Sequence, residues 1–225
     1  MNTAPDIKAW SRAVDERIKA IRHELELASG GRARLLPVTK AFGPEAVQAV
    51  RAAGLTEVGE SYAQELVVKH READDSEISW HMIGRLQRNK VRPLARLVSL
   101  WQSVDRPELV DEIARWAPGA RVLIQVNVLG RAEQGGCRPG EAERLVVRGH
   151  EAGLEVIGLM GIGPEGDRDG TERSFAAIAR LADQLDLAER SMGMTDDRKS
   201  ALAHGSTLVR VGRALFGDRR ASQRR

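Results

Sequence analysis

Leu35-Leu36-Pro37-Val38-Thr39-Lys40 reads as a short buried strand with a lysine at its end. An ammonium is almost never fully buried without a partner. Lys40 is therefore either a solvated strand end or a functional amine. Lysine is scarce in this chain: Lys8, Lys19, Lys40, Lys69, Lys90 and Lys199 are six of its 35 basic residues. Taken alone, the solvated end is the simpler reading of Lys40.

Outward from this strand the chain alternates. Before it, Ile7, Trp10, Val14, Ile18, Ile21 and Leu25 recur at three- and four-residue steps and predict a helix over 7–29, with Asp6 as N-cap and Gly30-Gly31 as the stop. After it, Pro44 and Gly54 bracket a second helix, as first helical residue and C-terminal stop. Strand candidates follow at 56–58, 78–83, 100–104, 121–128, 156–160, 188–192 and 208–211. Helices fall at 62–72, 90–97, 107–116, 140–152, 171–185 and 196–203, with a terminal turn at 215–216. Short apolar strands separated by helices suit a parallel sheet buried on both faces. About eight such units predict an α/β fold of the closed (β/α)8 TIM-barrel type. The alternative is an open doubly wound sheet, but no G-x-G-x-x-G follows the first strand. Neither a linker nor a second domain is visible, so residues 1–225 read as one domain with a short basic tail at 218–225.

The 225 residues are 42% hydrophobic and 30% charged, enough to bury a sizeable core. Net charge is only +3, and part of the excess lies in the tail, which reads as a solvated end. Nothing here calls for nucleic acid or a membrane as partner. Cys137 is the single cysteine, which excludes an intrachain disulfide and suits a reducing compartment. No signal-peptide stretch opens the chain, and no apolar run approaches the roughly 20 residues of a membrane span. The expectation is a cytoplasmic protein. A lone barrel with charged helix faces makes the monomer the default.

In such barrels functional groups sit at the C-terminal ends of the strands. Lys40, His81, Asn127, Met160 and Arg210 fall at or near such ends. The loops after the last two strands often hold phosphate. Here they carry Ser191-Met192-Gly193-Met194-Thr195 and Val211-Gly212-Arg213. Glycine lets the backbone approach an anion, and Ser191 and Thr195 add hydroxyls. Asp196 and Asp197 would repel a phosphate and read as N-cap and first-turn residues. Alone, this pattern is more simply a turn. Combined with Lys40 it describes a site for pyridoxal 5′-phosphate (PLP). The amine would form a Schiff base with the aldehyde, and the phosphate would be held on the opposite rim. Arg210 would face the ring nitrogen. A guanidinium gives up no proton, so it would leave that nitrogen unprotonated and weaken the ring as an electron sink.

Several blocks also carry a resemblance. They are Val38-Thr39-Lys40, Gly59-Glu60-Ser61-Tyr62-Ala63-Gln64-Glu65, His81-Met82-Ile83-Gly84-Arg85-Leu86-Gln87-Arg88-Asn89-Lys90, Ser191 to Asp197, and Gly205 to Gly212. In this order they resemble the pyridoxal phosphate homeostasis protein family, single-domain relatives of the alanine racemase N-terminal barrel. The resemblance runs from Lys40 to Gly217. It implies an alanine racemase N-terminal-domain-like barrel with Lys40 as the Schiff-base residue. It implies phosphate contacts from Ser191, from the backbone around Met194 and Thr195 beside Gly193, and from Gly212 and Arg213, with Arg210 near the pyridine nitrogen; Ser61, and the strand-end residues His81 and Met160, are further cofactor-binding candidates. It further implies a carrier or regulator of vitamin B6 pools, able to serve PLP-dependent apo-enzymes, with no established reaction. This sequence departs from the family pattern at three places. Ser61 stands for Asn, which shortens that contact or makes it water-mediated. Gln134 stands for a Lys linked in the family to a second PLP encounter. Arg213 stands for Thr, which adds charge near the phosphate.

Other candidates have plainer readings. His81 is as readily structural as ligand-binding. No base accompanies Cys137, which reads as an incidental thiol. Trp10, Trp101 and Trp116 read as packing residues. The alternative function is a PLP-dependent amino-acid racemase. That reaction needs a base on each face of the α-carbon. Lys40 supplies one, and Tyr62, the only tyrosine, is the sole candidate of its kind for the other. The missing second base favours the carrier.

Overall fold

The computed structural model describes residues 7–73 and 77–217. The Asp6 cap and the tail at 218–225 lie outside them. Eight parallel strands alternate with helices. The order is α1 (Ile7–Ser29), β1 (Arg34–Pro37), α2 (Pro44–Ala52), β2 (Glu57–Glu60), α3 (Ala63–Glu72), β3 (Ser79–Met82), α4 (Val91–Leu94) and β4 (Val98–Val104). It continues through α5 (Pro107–Trp116), β5 (Arg121–Val126), α6 (Pro139–Glu151), β6 (Glu155–Gly161), α7 (Arg168–Gln184), β7 (Glu189–Ser191), α8 (Arg198–Ala203), β8 (Leu208–Val211) and α9 (Arg213–Phe216). The strands hydrogen-bond in the order β1-β8-β7-β6-β5-β4-β3-β2. A parallel bridge from Val38 to Gly59 brings β1 against β2 and all but closes the barrel.

The strands form where apolar residues face both the helices and the barrel interior. The main core lies between barrel and helices, and Ile18, Trp101, Ile113 and Phe175 are among its fully buried members. A second cluster fills the barrel itself: Leu100, Leu123 and Met160, with Ile83 and Ile162 packed on it. Burying side chains such as these stabilises a fold by about 1.5–3 kcal/mol each. Pro107 and Pro139 stand at the first helical turns of α5 and α6, where a missing N–H costs nothing.

Element boundaries shift in places from those expected. The helix expected at 90–97 is a 3-10 turn, Arg88–Lys90, running into the four-residue α4. Pro93 suits a first turn but limits continuation, and the Leu97 N–H bonds back to the Leu94 carbonyl as the chain turns into β4. The first strand ends at Pro37, because Thr39 turns its N–H to Gly59 of β2. Trp10 stacks on Phe216, Trp101 is core, and Arg92 and Arg115 lie over the Trp116 ring. Among the described residues no helix is long and apolar enough to cross a membrane.

Candidate functional site

Lys40 leaves β1 half-buried, between a fully buried Thr39 and Ala41. Ala41 has φ 63°, a left-handed conformation that costs a residue with a Cβ roughly 1 kcal/mol. Both flanking backbone groups are held by side chains. The Thr39 carbonyl accepts from Lys69 Nζ at 2.7 Å, and the Ala41 N–H donates to Glu65 Oε2 at 2.9 Å. Lys69 lies on the buried face of α3 and also donates to Glu60 Oε2 at 2.5 Å and Glu65 Oε2 at 2.9 Å. The other Glu60 oxygen accepts from the N–H groups of Ser61 and Tyr62. Burial raises the Glu60 carboxyl above the usual range, and Lys69 opposes that shift.

Arg210 is buried on β8, paired in register with Leu36 of β1. Its Nη1 donates to the Ser191 carbonyl at 2.6 Å and to Ser191 Oγ at 2.7 Å, and its Nη2 donates to the Gly161 carbonyl at 2.8 Å. All three acceptors are neutral oxygens. Burial lowers the guanidinium to about 10, with the charge of Asp197 acting the other way. A polar chain runs on from it through the barrel. Ser191 Oγ donates to Gln102 Oε1 at 2.7 Å, and Gln102 Nε2 lies 2.9 Å from His81 Nδ1. His81 Nε2 lies 3.5 Å from Glu57 Oε1, and Glu57 pairs with Arg34, which pairs with Glu189. Arginine can only donate, which orders the chain: the Ser191 hydroxyl gives its proton to Gln102, whose amide then faces His81 Nδ1. Assigned this way, His81 accepts at Nδ1 and carries its proton on Nε2, towards Glu57. Contact with His81, above all, lowers the Glu57 carboxyl to about 2.

The loops after β7 and β8 form the next part. Gly193 has φ 87°, and a Cβ there would lie 2.6 Å from the Ala201 side chain. Only glycine fits that turn without displacement. Gly212 passes close to the Val38 carbonyl, 3.1 Å from where a Cβ would be. Asp197 Oδ1 accepts from the Met194 N–H, and Asp196 pairs with Arg213.

The structure brings some of the expected site residues together and sets others apart. Lys40, Arg210, Gly212 and the turn around Gly193 share one sector of the barrel. The loops expected to hold phosphate do not lie on the rim opposite Lys40: strand order β1-β8-β7 puts the loop after β8 beside it and the loop after β7 one strand further, because closure brings the last strand against the first. Ser191 turns inward, fully buried on Gln102 and Arg210 rather than out on the loop. Its parity on β7 sends the side chain into the barrel. His81 is buried one step further along the same chain, and Met160 packs with Leu100 and Leu123. Thr195 is half-buried, while Met194 and the Arg213 side chain are exposed. Ser61 is half-buried, with its carbonyl so close to Gly84 that a Cβ there would sit 2.0 Å away. Tyr62 is 51% exposed. Asn127 organises the loop after β5 by bonding the Arg131 and Gln134 carbonyls, and Gln134 ties that loop to the Ile162 carbonyl. Cys137 is buried, and desolvation pushes its thiol up to about 12. Sequence reasoning gave no role to Glu60, Lys69 or Gln102. A carboxylate at the end of a short apolar strand and a lysine on an apolar helix face were the available signals.

The donor set fits PLP. It offers a lysine amine at a strand end, a buried guanidinium bonded only to neutral oxygens, and a glycine turn. At that turn the Met194 amide already holds an anionic oxygen, from the Asp197 carboxylate.

The chain resembles known proteins over most of its length. The family model described as alanine racemase, N-terminal domain, matches residues 11–220. A protein named pyridoxal phosphate homeostasis protein from Pseudomonas aeruginosa is 38% identical over 193 residues, covering 82% of this chain and 84% of that protein. One of the same name from Aquifex aeolicus is 36% identical over 217 residues, covering 90% and 95%. The structure of PipY from Synechococcus elongatus PCC7942 with PLP bound matches with a TM-score of 0.81 at 30% identity, covering 91% of this chain and all of that one.

Proposed function

The chain belongs to the pyridoxal phosphate homeostasis protein family, and on that premise we propose that it binds PLP and takes part in the homeostasis of that cofactor, holding it as a Schiff base on Lys40. The observation that carries this reading is that Lys40 follows the end of β1 while a buried Arg210, in register with Leu36, stands on the adjacent β8. Bound PLP would supply an aldehyde for reversible amine capture and a pyridine ring as electron sink.

The chain's own residues divide the work. Lys40 provides the amine. Arg210, fixed by Ser191 and the Gly161 carbonyl, presents a donor that keeps its own proton, so it orients the ring without protonating it. The Gly193–Thr195 turn and Gly212 provide backbone N–H groups for the phosphate. Ser191 and His81 act through Arg210 rather than on the phosphate. The one tyrosine, Tyr62, which would have to supply the base on the second face of a bound amino acid as a tyrosine does in barrel racemases, is largely exposed. The role is therefore that of a carrier serving PLP-dependent apo-enzymes, as a cytoplasmic monomer.

Borohydride reduction of the PLP-loaded protein followed by peptide mapping should place the pyridoxyl group on Lys40, and Lys40→Ala should lose the yellow colour. A label elsewhere, or none, would remove the reading. Rapid exchange of an α-deuterium from any added L-amino acid would convert the carrier into an enzyme.

A further inference from the structure

Resting on that reading, we propose that Glu65 and Lys69, tied together and to Glu60, are the positioning residues for Lys40: they grip the peptide groups on either side of it and aim its amine. Schiff-base formation asks Lys40 Nζ to add to the aldehyde carbon. A C=N bond then replaces C=O, and the carbonyl oxygen leaves as water with both hydrogens of the neutral amine. The rate of that addition depends on where the amine stands, and a misplacement of 1 Å can cost about a hundredfold.

Three features carry the assignment. The first is saturation. An ammonium has three N–H donors, and Lys69 spends them on the Thr39 carbonyl, Glu60 and Glu65. The second is symmetry about Lys40. The carbonyl before it and the N–H after it are bound to the same cluster, since Glu65 Oε2 accepts from both Ala41 N and Lys69 Nζ. The third is strain. A left-handed alanine persists only where its surroundings hold it, and the Glu65 bond to its N–H does so. Stability alone gives no reason for the cluster. A buried ion pair is commonly matched or bettered by apolar residues of the same volume. What apolar residues could not do is hold a carbonyl and an N–H on each side of a lysine. Glu60 completes the device at its other end. Its second carboxylate oxygen receives Ser61 N and Tyr62 N, so the loop after β2 is locked to the loop after β1.

The test uses the full chain and two ligands. PLP reports Schiff-base formation through the growth of the yellow band after mixing. Pyridoxine 5′-phosphate, which lacks the aldehyde, reports the ring and phosphate contacts alone. Glu65 is partly exposed, so Glu65→Ala should fold. It should form the Schiff base about tenfold more slowly while its affinity for pyridoxine 5′-phosphate stays within about twofold of wild type. Glu65→Gln, which keeps an acceptor for the Ala41 N–H, should recover most of the rate. Lys69→Met leaves Glu60 buried and uncompensated, so it is paired with Glu60→Gln; that double variant should behave like Glu65→Ala. The proposal falls if Glu65→Ala reacts at the wild-type rate. It falls equally if Glu65→Gln is as slow as Glu65→Ala, or if pyridoxine 5′-phosphate affinity drops in step with the rate. Absence of the Schiff base from wild-type protein would instead remove the functional reading itself, and the proposal with it.

Discussion

Glu57 shows how much a single side chain in the barrel is made to hold. It faces His81 on one side and Arg34 on the other, and its carboxyl lies at about 2 instead of the ordinary 4.5. A depressed carboxyl stabilises the folded state above its unfolded value and loses that contribution as the pH falls through the folded one. Wild type should therefore exceed Glu57→Gln in thermal midpoint at neutral pH. The gap should narrow between about pH 4.5 and pH 2, where the wild-type carboxylate takes up its proton. A gap of constant size across that range would mean that Glu57 acts by shape and not by charge. The same residue limits what sequence could show. Glu57, His81, Gln102, Ser191 and Arg210 come from five different strands, and their order in the chain gives no hint that they touch. Its place in the last strand marks Arg210 as a site candidate, whereas the inward turn of Ser191 is hidden by a glycine turn that suggests a loop residue.

At the scale of the element, helix α7 is the clearest case of a boundary set by one group. The apolar spacing of Phe175, Ile178 and Ala182 made the helix legible from Thr171 onward. Its first turn, Arg168-Asp169-Gly170, carries no apolar residue, so periodicity missed it. The cap was the signal there: Asp167 Oδ1 accepts from the Gly170 N–H at 2.8 Å, and its other oxygen lies 3.3 Å from Arg131. Asp167→Ala should lower stability by about 1 kcal/mol, the ordinary value of such a cap, measured as a shift in urea midpoint without change in slope. Strands were easier where both faces are buried. The β5 and β8 segments read directly from their apolar runs, whereas β7, three residues long with Glu189 and Arg190 in it, is a strand because its neighbours pair with it. Its side chains obey the interior and not a propensity: Glu189 reaches Arg34 at the floor of the barrel.

For the whole molecule the decisive fact is closure, which is also what sequence shows least. The blocks that hold Lys40 and the turn after β7 are about 150 residues apart, and come together only because β8 pairs with β1. Helix α1 reinforces that seam from outside. Arg17 donates to the Leu215 carbonyl and Trp10 Nε1 to the Phe216 carbonyl, so the first helix is bonded to the last. Glu24 of α1 takes a forked pair of bonds from Arg198, and the same guanidinium donates to the Thr195 carbonyl in the turn after β7. A helix outside the barrel thereby steadies the backbone proposed to receive the phosphate. Glu24→Ala leaves Lys40 and Arg210 untouched and loosens only that turn. The pair is part-exposed, so the loss should be of the order of 0.2–1 kcal/mol, which is at most about fivefold in affinity. It should appear in the binding of PLP and of pyridoxine 5′-phosphate. Pyridoxal, which carries no phosphate, should react with the variant as it does with wild type. Equal weakening for pyridoxal would show that α1 supports the barrel at large, with no particular bearing on the turn after β7.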